Sequence, residues 1–338
     1  LISQDFIRRF AEWSDAASDV VVVTHINPDG DAVGSEYALT RFLHARNKSV
    51  RIVNQDPVPD YLKFIDFGEP EIELYRPELH DAVLAEAGQV VLVDNSAPDR
   101  LGRMEAAMRS VADKTLCIDH HPMRDAPWAV NLVDVDYCAT TAIVYDLTKA
   151  CGWQPDLVSA WGIYVGLVTD TGFFRFNSTN ARTHEIAAEL LRLGVEPARA
   201  YEAIHERNPE AYVRLLGHAL SGLRLDAGGA IASVQITRDT VRALRAEEVD
   251  PTEITTPLLA MDGVKVAILF RELEDGRVKV SLRSKGSLDV HRLAIEFGGG
   301  GHRNASGIVM PGDLEQAIET VAGRAAALLA ADRTRPSS

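Results

Sequence analysis

Four short apolar runs set the first half of the chain: Val20–Thr24, Val50–Val53, Val90–Val93 and Thr115–Ile118. They are nearly continuous and rich in β-branched residues, as strands buried on both faces of a parallel sheet are. Between them the apolar positions recur at helical spacing. Ile2, Phe6, Phe10 and Trp13 mark an opening amphipathic helix, and Ala32–Arg46, Arg100–Ser110, Thr140–Ala150, Asp156–Val168 and Asn180–Leu193 read as further helices. Gly152 and Gly194 close two of these helices, and Asp56-Pro57-Val58-Pro59 breaks the chain before a short helical piece at Tyr61–Phe67. Strands alternating with helices predict an α/β domain whose parallel sheet is covered on both sides.

After Gly194 the pattern changes. Residues 195–228 are mostly helical and polar, with Pro197 and Pro209, and read as a helical linker. Ala230–Ile236, Val264–Phe270, Val278–Arg283 and Ala305–Met310 are β-like, while Leu288–Phe297 and Leu314–Leu329 are helical. The expected organisation is a catalytic α/β domain over 1–194, the linker over 195–228, a smaller α+β domain with a mixed sheet over 229–332, and a frayed tail over 333–338. An active-site cleft is expected between the two domains.

Composition narrows the class. The chain has 338 residues, 46% apolar and 25% charged, which suits a globular protein with two cores. No apolar run approaches the ~18 residues that span a bilayer, and the acidic and basic residues within 1–20 do not suit a signal peptide. Cys117, Cys138 and Cys151 are odd in number and form no CxxC pair, so a reduced, cytoplasmic setting is expected. A formal net charge of −14 argues against a surface for long duplex nucleic acid. A small phosphorylated substrate stays open if local cations offset the carboxylates.

The chemistry gathers at the ends of the apolar runs. His25-Ile26-Asn27-Pro28-Asp29-Gly30-Asp31 follows the first, Asp94 the third and Asp119-His120-His121 the fourth, while Asp170 ends a helix in Thr169-Asp170-Thr171-Gly172. In open parallel sheets ligands collect beyond the carboxyl ends of the strands, which places these groups along one rim. Pro28 and Gly30 are expected to hold a turn that lets the first three side chains converge. Singly, each acid could be a helix cap or a turn residue and each histidine a core residue. Together, Asp29, Asp31, Asp94 and Asp170 with His25 and His120 form an oxygen-rich set with nitrogen and without thiolate. Such a set suits two divalent ions, Mn²⁺ first, with Mg²⁺, Co²⁺ or Fe²⁺ as other candidates. Two ions ~3.5–4 Å apart activate water and clamp the oxygens of an in-line phosphoryl displacement, so phosphate-ester hydrolysis is expected. His121 could face the phosphate and Asp119 could orient a ring nitrogen. Arg175 is expected either in the cleft or in solvent. Gly298-Gly299-Gly300-Gly301-His302 reads either as a hinge or as a loop whose backbone N–H groups cradle an anion, with Arg283, Ser284 and Lys285 adding polar contacts nearby.

Five motifs in this order, HINPDGD at 25–31, VLVDNS at 91–96, IDHHP at 118–122, TDTG at 169–172 and GGGGH at 298–302 after SLRSKG at 281–286, resemble the DHH phosphoesterase family with its DHH-associated domain. The two-domain layout looks most like the bacterial NrnA-type branch of that family. The resemblance implies a metal-dependent hydrolase that cleaves short oligonucleotides (nano-RNA) and 3′-phosphoadenosine 5′-phosphate, or alternatively cyclic di-AMP or linear pApA. It implies one metal on His25, Asp29 and Asp94, and a second on Asp31, Asp94, His120 and Asp170, with Asp94 bridging. It also implies catalytic roles for Asp94, Asp119, His120 and His121, substrate contacts from His121, Arg283, Ser284, Gly299, Gly300, Gly301 and His302, and a homodimer. A manganese pyrophosphatase would lack the GGGGH run, and a RecJ-like exonuclease would be longer and show a basic groove. A non-catalytic nucleotide-binding module would be expected to have lost a ligand.

Overall fold

A computed structural model describes residues 2–65, 72–123 and 125–333, the side chains of His302, Asp332 and Arg333 excepted. The chain forms two compact units, Leu1–Arg207 and Asn208–Ser338.

The first unit holds six strands, β1 (Asp19–Val23), β2 (Ser49–Asn54), β3 (Ile72–Leu74), β4 (Gln89–Val93), β5 (Thr115–Asp119) and β6 (Val130–Val133). All five pairings are parallel, in the order β3-β2-β1-β4-β5-β6. The helices are α1 (Gln4–Ala16), α2 (Gly30–Ala45), α3 (Pro77–Glu86), α4 (Glu105–Ser110), α5 (Thr140–Ala150), α6 (Leu157–Asp170), α7 (Ala181–Arg192) and α8 (Pro197–His205). The central strands bury both faces. Val20 and Val22 of β1 join the core that includes α2, α5 and α6, while Val21 and Val23 join the core that includes Leu84 of α3 and Met108 of α4. Val91/Val93 and Val90/Leu92 of β4 divide in the same way. This two-sided burial is why the runs read as continuous rather than alternating.

The sequence reading misses β3 and β6. Each is short, and their inward and outward residues (Ile-Glu-Leu and Val-Asn-Leu-Val) are too mixed to stand out. The expected helix at Tyr61–Phe67 is a 3-10 turn over Asp60–Ile65, and its last two residues lie outside the described ones.

The chain passes from β1 outward to β2 and β3, then returns to lay β4 on the other side of β1. The order reverses there, and in doubly wound sheets that reversal opens a crevice at the strand ends. Helix α2 starts at this point and lies close against α6. A Cβ on Gly34 would come 2.2 Å from the Gly162 carbonyl oxygen, so two glycines bring the helices together. Helix α6 is thereby anchored with its last residue, Asp170, beside the crevice.

The second unit carries β7 (Arg224–Asp226), β8 (Ile231–Ile236), β9 (Val266–Glu272), β10 (Val278–Ser284), β11 (Gly300–His302) and β12 (Ala305–Met310) in the order β11-β12-β10-β9-β8-β7. The β8/β9 pair is parallel and the others antiparallel, the mixed sheet expected. Helices α9 (Glu210–Ser221), α10 (Arg238–Ala243) and α11 (Thr255–Ala260) contribute to one of its cores, and α12 (Val290–Glu296) and α13 (Leu314–Arg333) to the other. No helix among the described residues is long and apolar enough to cross a membrane.

Candidate metal centre

The strand reversal brings the sequence-selected groups together. Asp94 is the hub. It is buried, stands directly after β4, and has φ +59°. That left-handed conformation is tolerable for Asp but costly for most residues, and such outliers cluster at functional sites. Its Oδ2 lies 3.3 Å from His25 Nε2. Its Oδ1 lies 3.6 Å from both His120 Nε2 and His121 Nδ1, and accepts a hydrogen bond from Thr140 Oγ1 at 2.9 Å.

Asp29 and Asp31 stand two residues apart and do different work. Asp29 is the N-cap of α2, and its Oδ1 accepts from the Asp31 and Ala32 N–H groups at 3.0 and 3.1 Å. Capping and ligation are therefore compatible, since Oδ2 is left over. Asp31 is fully buried, and its two oxygens accept from the Thr140 and Thr141 N–H groups at 2.5 and 2.8 Å. Helix α5 has Ala139 at its N-cap, which offers no side-chain oxygen, so Asp31 caps it from across the fold. The left-handed residue in this loop is Asn27, at φ +53°, its N–H held by Asp56 at 2.8 Å. Gly30 is already helical. A Cβ there would meet Thr169 Oγ1 at 2.6 Å, so its glycine serves close helix approach rather than the expected turn.

The imidazoles show where a cation fits. His25 Nδ1 lies 2.7 Å from the Ile26 carbonyl oxygen and His120 Nδ1 lies 3.3 Å from that of Tyr137. A carbonyl accepts only, so Nδ1 carries a proton in both rings, and a neutral ring would present its Nε2 lone pair to the carboxylates. Burial lowers the His25 pKa and Arg100 adds to this, which favours that neutral ring facing Asp94 Oδ2. His120 Nε2 is surrounded by Asp170 Oδ2 at 3.0 Å, Asp94 Oδ1 at 3.6 Å and Asp31 Oδ2 at 3.8 Å, yet it makes no well-directed hydrogen bond to any of them. Burial opposes a charge on His120, but Asp170, Asp31 and Asp119 outweigh it and push the group up to about 9. Burial also drives the Asp94 carboxyl well above the usual range, with Asp31, Asp29 and Asp170 adding repulsion, and it raises Asp170 to about 6. Ring nitrogens set among carboxylates, and carboxylates facing each other, are arrangements that divalent cations would satisfy.

Candidate donor atoms of His25, Asp29 and Asp94 lie within 4.8 Å of one another, as do those of Asp31, His120 and Asp170 and those of Asp94, His120 and His121. The donor set fits a metal site. Asp119 is buried and His121 half exposed. The Asp119 Oδ1 accepts from the His121 N–H at 3.0 Å and faces His121 Nδ1 at 2.9 Å, and this pairing holds the carboxyl below its ordinary value against the effect of burial. Sequence reasoning missed Thr140. The signal available is Thr140-Thr141 opening a helix, but their link to Asp31 and Asp94 spans 109 and 46 residues.

In the second unit the picture differs. Ser284, expected to meet substrate, is buried. Its hydroxyl donates to the Leu288 carbonyl at 2.7 Å and accepts from Asn304 Nδ2 at 2.9 Å, so it braces the 284–288 turn. Arg283 lies on β10, with Nη1 3.2 Å from the Leu282 carbonyl oxygen. The Gly298 and Gly299 N–H groups donate to Ile295 and Ala294 at the end of α12, so they are not available to an anion. Gly300, Gly301 and His302 form edge strand β11 rather than a free loop, and the His302 side chain lies outside the described residues. A Cβ on Gly299 would meet the Gly307 carbonyl oxygen at 2.2 Å, which explains one glycine by packing alone.

Residues 19–165 match the N-terminal domain of the DHH family, and residues 240–327 match the DHHA1 domain. The chain is 33% identical to the bifunctional oligoribonuclease and PAP phosphatase NrnA of Thermus thermophilus, over 89% of this chain and 87% of that protein. It is 29% identical to NrnA of Bacillus subtilis, over 85% and 88%. The crystal structure of an exopolyphosphatase-related protein from Bacteroides fragilis superposes with a TM-score of 0.89 at 30% identity, covering 96% of each chain. The chain belongs to the DHH family, with a DHHA1 domain following its DHH domain.

Proposed function

We propose that the chain is a two-metal phosphoesterase that hydrolyses short oligonucleotides and 3′-phosphoadenosine 5′-phosphate to mononucleotides. The observation that carries this reading is the Asp94 carboxylate, with one oxygen 3.3 Å from His25 Nε2 and the other 3.6 Å from His120 Nε2. A bridging ligand needs its two oxygens turned to two different donor groups. His25, Asp29 and Asp94 would hold one ion, and Asp31, Asp94, His120 and Asp170 the other. The nitrogen and carboxylate donors, without thiolate, favour Mn²⁺ over structural zinc. Bound ions would lower the pKa of water and offset charge on the phosphoryl oxygens.

The chain's own residues do the rest. Thr140 fixes the rotation of Asp94, and the α5 N–H groups fix Asp31, so both carboxylates are set before substrate arrives. Asp119 takes the His121 Nδ1–H, which orients the ring, and a proton on Nε2 would then be donated to a phosphoryl oxygen. Residues 1–194 would supply chemistry, 195–228 the linker, and 229–332 substrate recognition through Arg283, Gly300, Gly301 and His302. Three free cysteines suit a reduced, cytoplasmic setting, and a homodimer is the expected assembly.

The test is a comparison of kcat/KM, with Mn²⁺, for 3′-phosphoadenosine 5′-phosphate, a di- to penta-ribonucleotide series and cyclic di-AMP. Highest values for the first two classes are expected. Preference for cyclic di-AMP would transfer the assignment to a cyclic-dinucleotide phosphodiesterase, and no hydrolysis of any would overturn it.

A further inference from the structure

Directly after Asp170 the backbone does something unusual. Gly172, Phe173 and Phe174 have φ of +54°, +54° and +65°, one turn of left-handed helix in which two of the three residues are bulky. Non-glycine residues adopt this conformation singly and at a cost, so a consecutive pair must be held by its surroundings. Thr171 holds it from inside. Its Oγ1 accepts the Phe174 N–H at 3.0 Å, and its carbonyl accepts the Arg175 and Phe176 N–H groups, each at 2.9 Å. The two phenylalanines hold it from outside. Phe173 packs against Tyr201 and His205 of α8, with ring centroids 5.0 and 4.8 Å away, and Phe174 against His184 of α7 at 4.9 Å.

What this turn presents is the next pair, Arg175 and Phe176. The Phe176 ring lies against Gly172, where a Cβ would come within 2.6 Å of its Cζ, so the glycine lets the ring rest on bare backbone. The ring is still 52% exposed. The Arg175 guanidinium sits 5.7 Å from its centroid, with Nε donating to the Gly172 carbonyl at 2.8 Å. An isolated exposed phenylalanine needs no explanation. This one is braced on one side, accompanied by a cation, and rests on a residue two positions from Asp170, no more than about 7 Å of chain.

We propose that Phe176 is a stacking platform for the nucleobase next to the scissile phosphate, with Arg175 beside it for the nucleotide's negative charge. The proposal rests on the phosphoesterase reading and deepens it. It gives a reason for the strain, because a flat, half-open ring must be fixed close to the metals to grip a base. Every base has a π-face, so the platform favours nucleotides over other phosphate esters without choosing a sequence.

The test uses a product-like probe that is not turned over, 2-aminopurine riboside 5′-monophosphate, titrated into the full chain with Mg²⁺. Stacking quenches 2-aminopurine fluorescence. Wild type and Phe176→Trp should bind with quenching, whereas Phe176→Ala should lose the quenching and bind about tenfold or more weakly, in line with base–aromatic stacking strength. Equal affinity and quenching in Phe176→Ala, or no binding by wild type, would overturn the platform. The wider reading is judged apart from this, by whether wild type hydrolyses the ribonucleotide series.

Discussion

The two units hold their polar groups in opposite ways. At the rim of the first sheet, Asp94, Asp31 and Asp170 are crowded together with His25 and His120, and His120 Nε2 is left without a well-directed partner. Beside the glycine run of the second unit, Ser284 donates to the Leu288 carbonyl and accepts from Asn304, and the Gly298 and Gly299 N–H groups donate to the end of α12. Buried polar groups are normally satisfied. The rim is thus a set of donors that fits cations, whereas Ser284, Gly298 and Gly299 already have protein partners. Metal chemistry can be argued from what a site lacks. Recognition by a finished surface has to be argued from what it leaves exposed.

The largest expected effect comes from removing the hub's charge. Asn tolerates the left-handed backbone as Asp does, so Asp94→Asn removes the charge without disturbing the turn. It should lower kcat/KM by about 10³-fold or more, comparable with the loss of a main electrostatic stabiliser. The same variant should melt higher than wild type in EDTA, because burial and the neighbouring acids already push the Asp94 carboxyl away from its charged form. Saturating Mn²⁺ should reverse that order, since a ligand at 100 times its Kd stabilises by about 2.7 kcal/mol. Near-wild-type hydrolysis by Asp94→Asn would remove the hub from the mechanism.

Thr140→Val takes away only the hydroxyl that orients Asp94 and leaves both α5 N–H groups on Asp31. Metal affinity measured by calorimetry should fall about 10–100-fold, the usual cost of losing a group that orients a ligand. Unchanged affinity would mean that Asp94 is held by its backbone alone.

These two residues mark how far the sequence could be read. Asp94 was legible because a buried parallel strand announces itself, and ligands gather past its end. Thr140 was not, since its importance depends on α5 docking its N-terminus onto Asp31, which no local pattern encodes. The packing reason for one glycine of the run is hidden in the same way: Gly299 answers to the Gly307 carbonyl on β12. Gly30 looked like a turn residue, yet its neighbour in space is Thr169, 139 residues on, and the left-handed residue was Asn27. Strands β3 and β6 were missed because pairing, not composition, makes such short segments strands.

A smaller effect should come from Glu36, buried in α2 away from any metal ligand role. Its Oε2 accepts from Asn54 Nδ2 at 3.0 Å, and burial raises its carboxyl to about 8 from an ordinary 4.5. The folded protein therefore keeps a proton between those values that the unfolded chain has lost. The part of the stability that Glu36 contributes should be greatest below 4.5, decline as pH rises through this window, and level off above about 8. Glu36→Gln cannot ionise, so its Tm should lose this part of the pH dependence and exceed that of wild type at alkaline pH. Parallel Tm–pH curves for the two proteins would show that Glu36 ionises freely in the fold.

The smallest effect tests the finished side of the comparison. If Ser284 only braces its turn, Ser284→Ala removes one donated hydrogen bond, to Leu288, and one accepted from Asn304, which retains the Ser284, Gly286 and Leu288 carbonyls as acceptors. The cost should be about 1 kcal/mol of stability, seen as a small fall in Tm, with KM for a dinucleotide within about twofold of wild type. If the hydroxyl instead turns to the substrate, KM should rise about tenfold with little change in Tm, because a hydrogen bond to a charged group contributes about 1.5–3 kcal/mol. The two outcomes separate cleanly because the brace acts whether or not ligand is present, while a substrate contact acts only in the complex. A KM effect without a Tm effect would therefore extend the ligand-fitting character of the first unit's rim to the second.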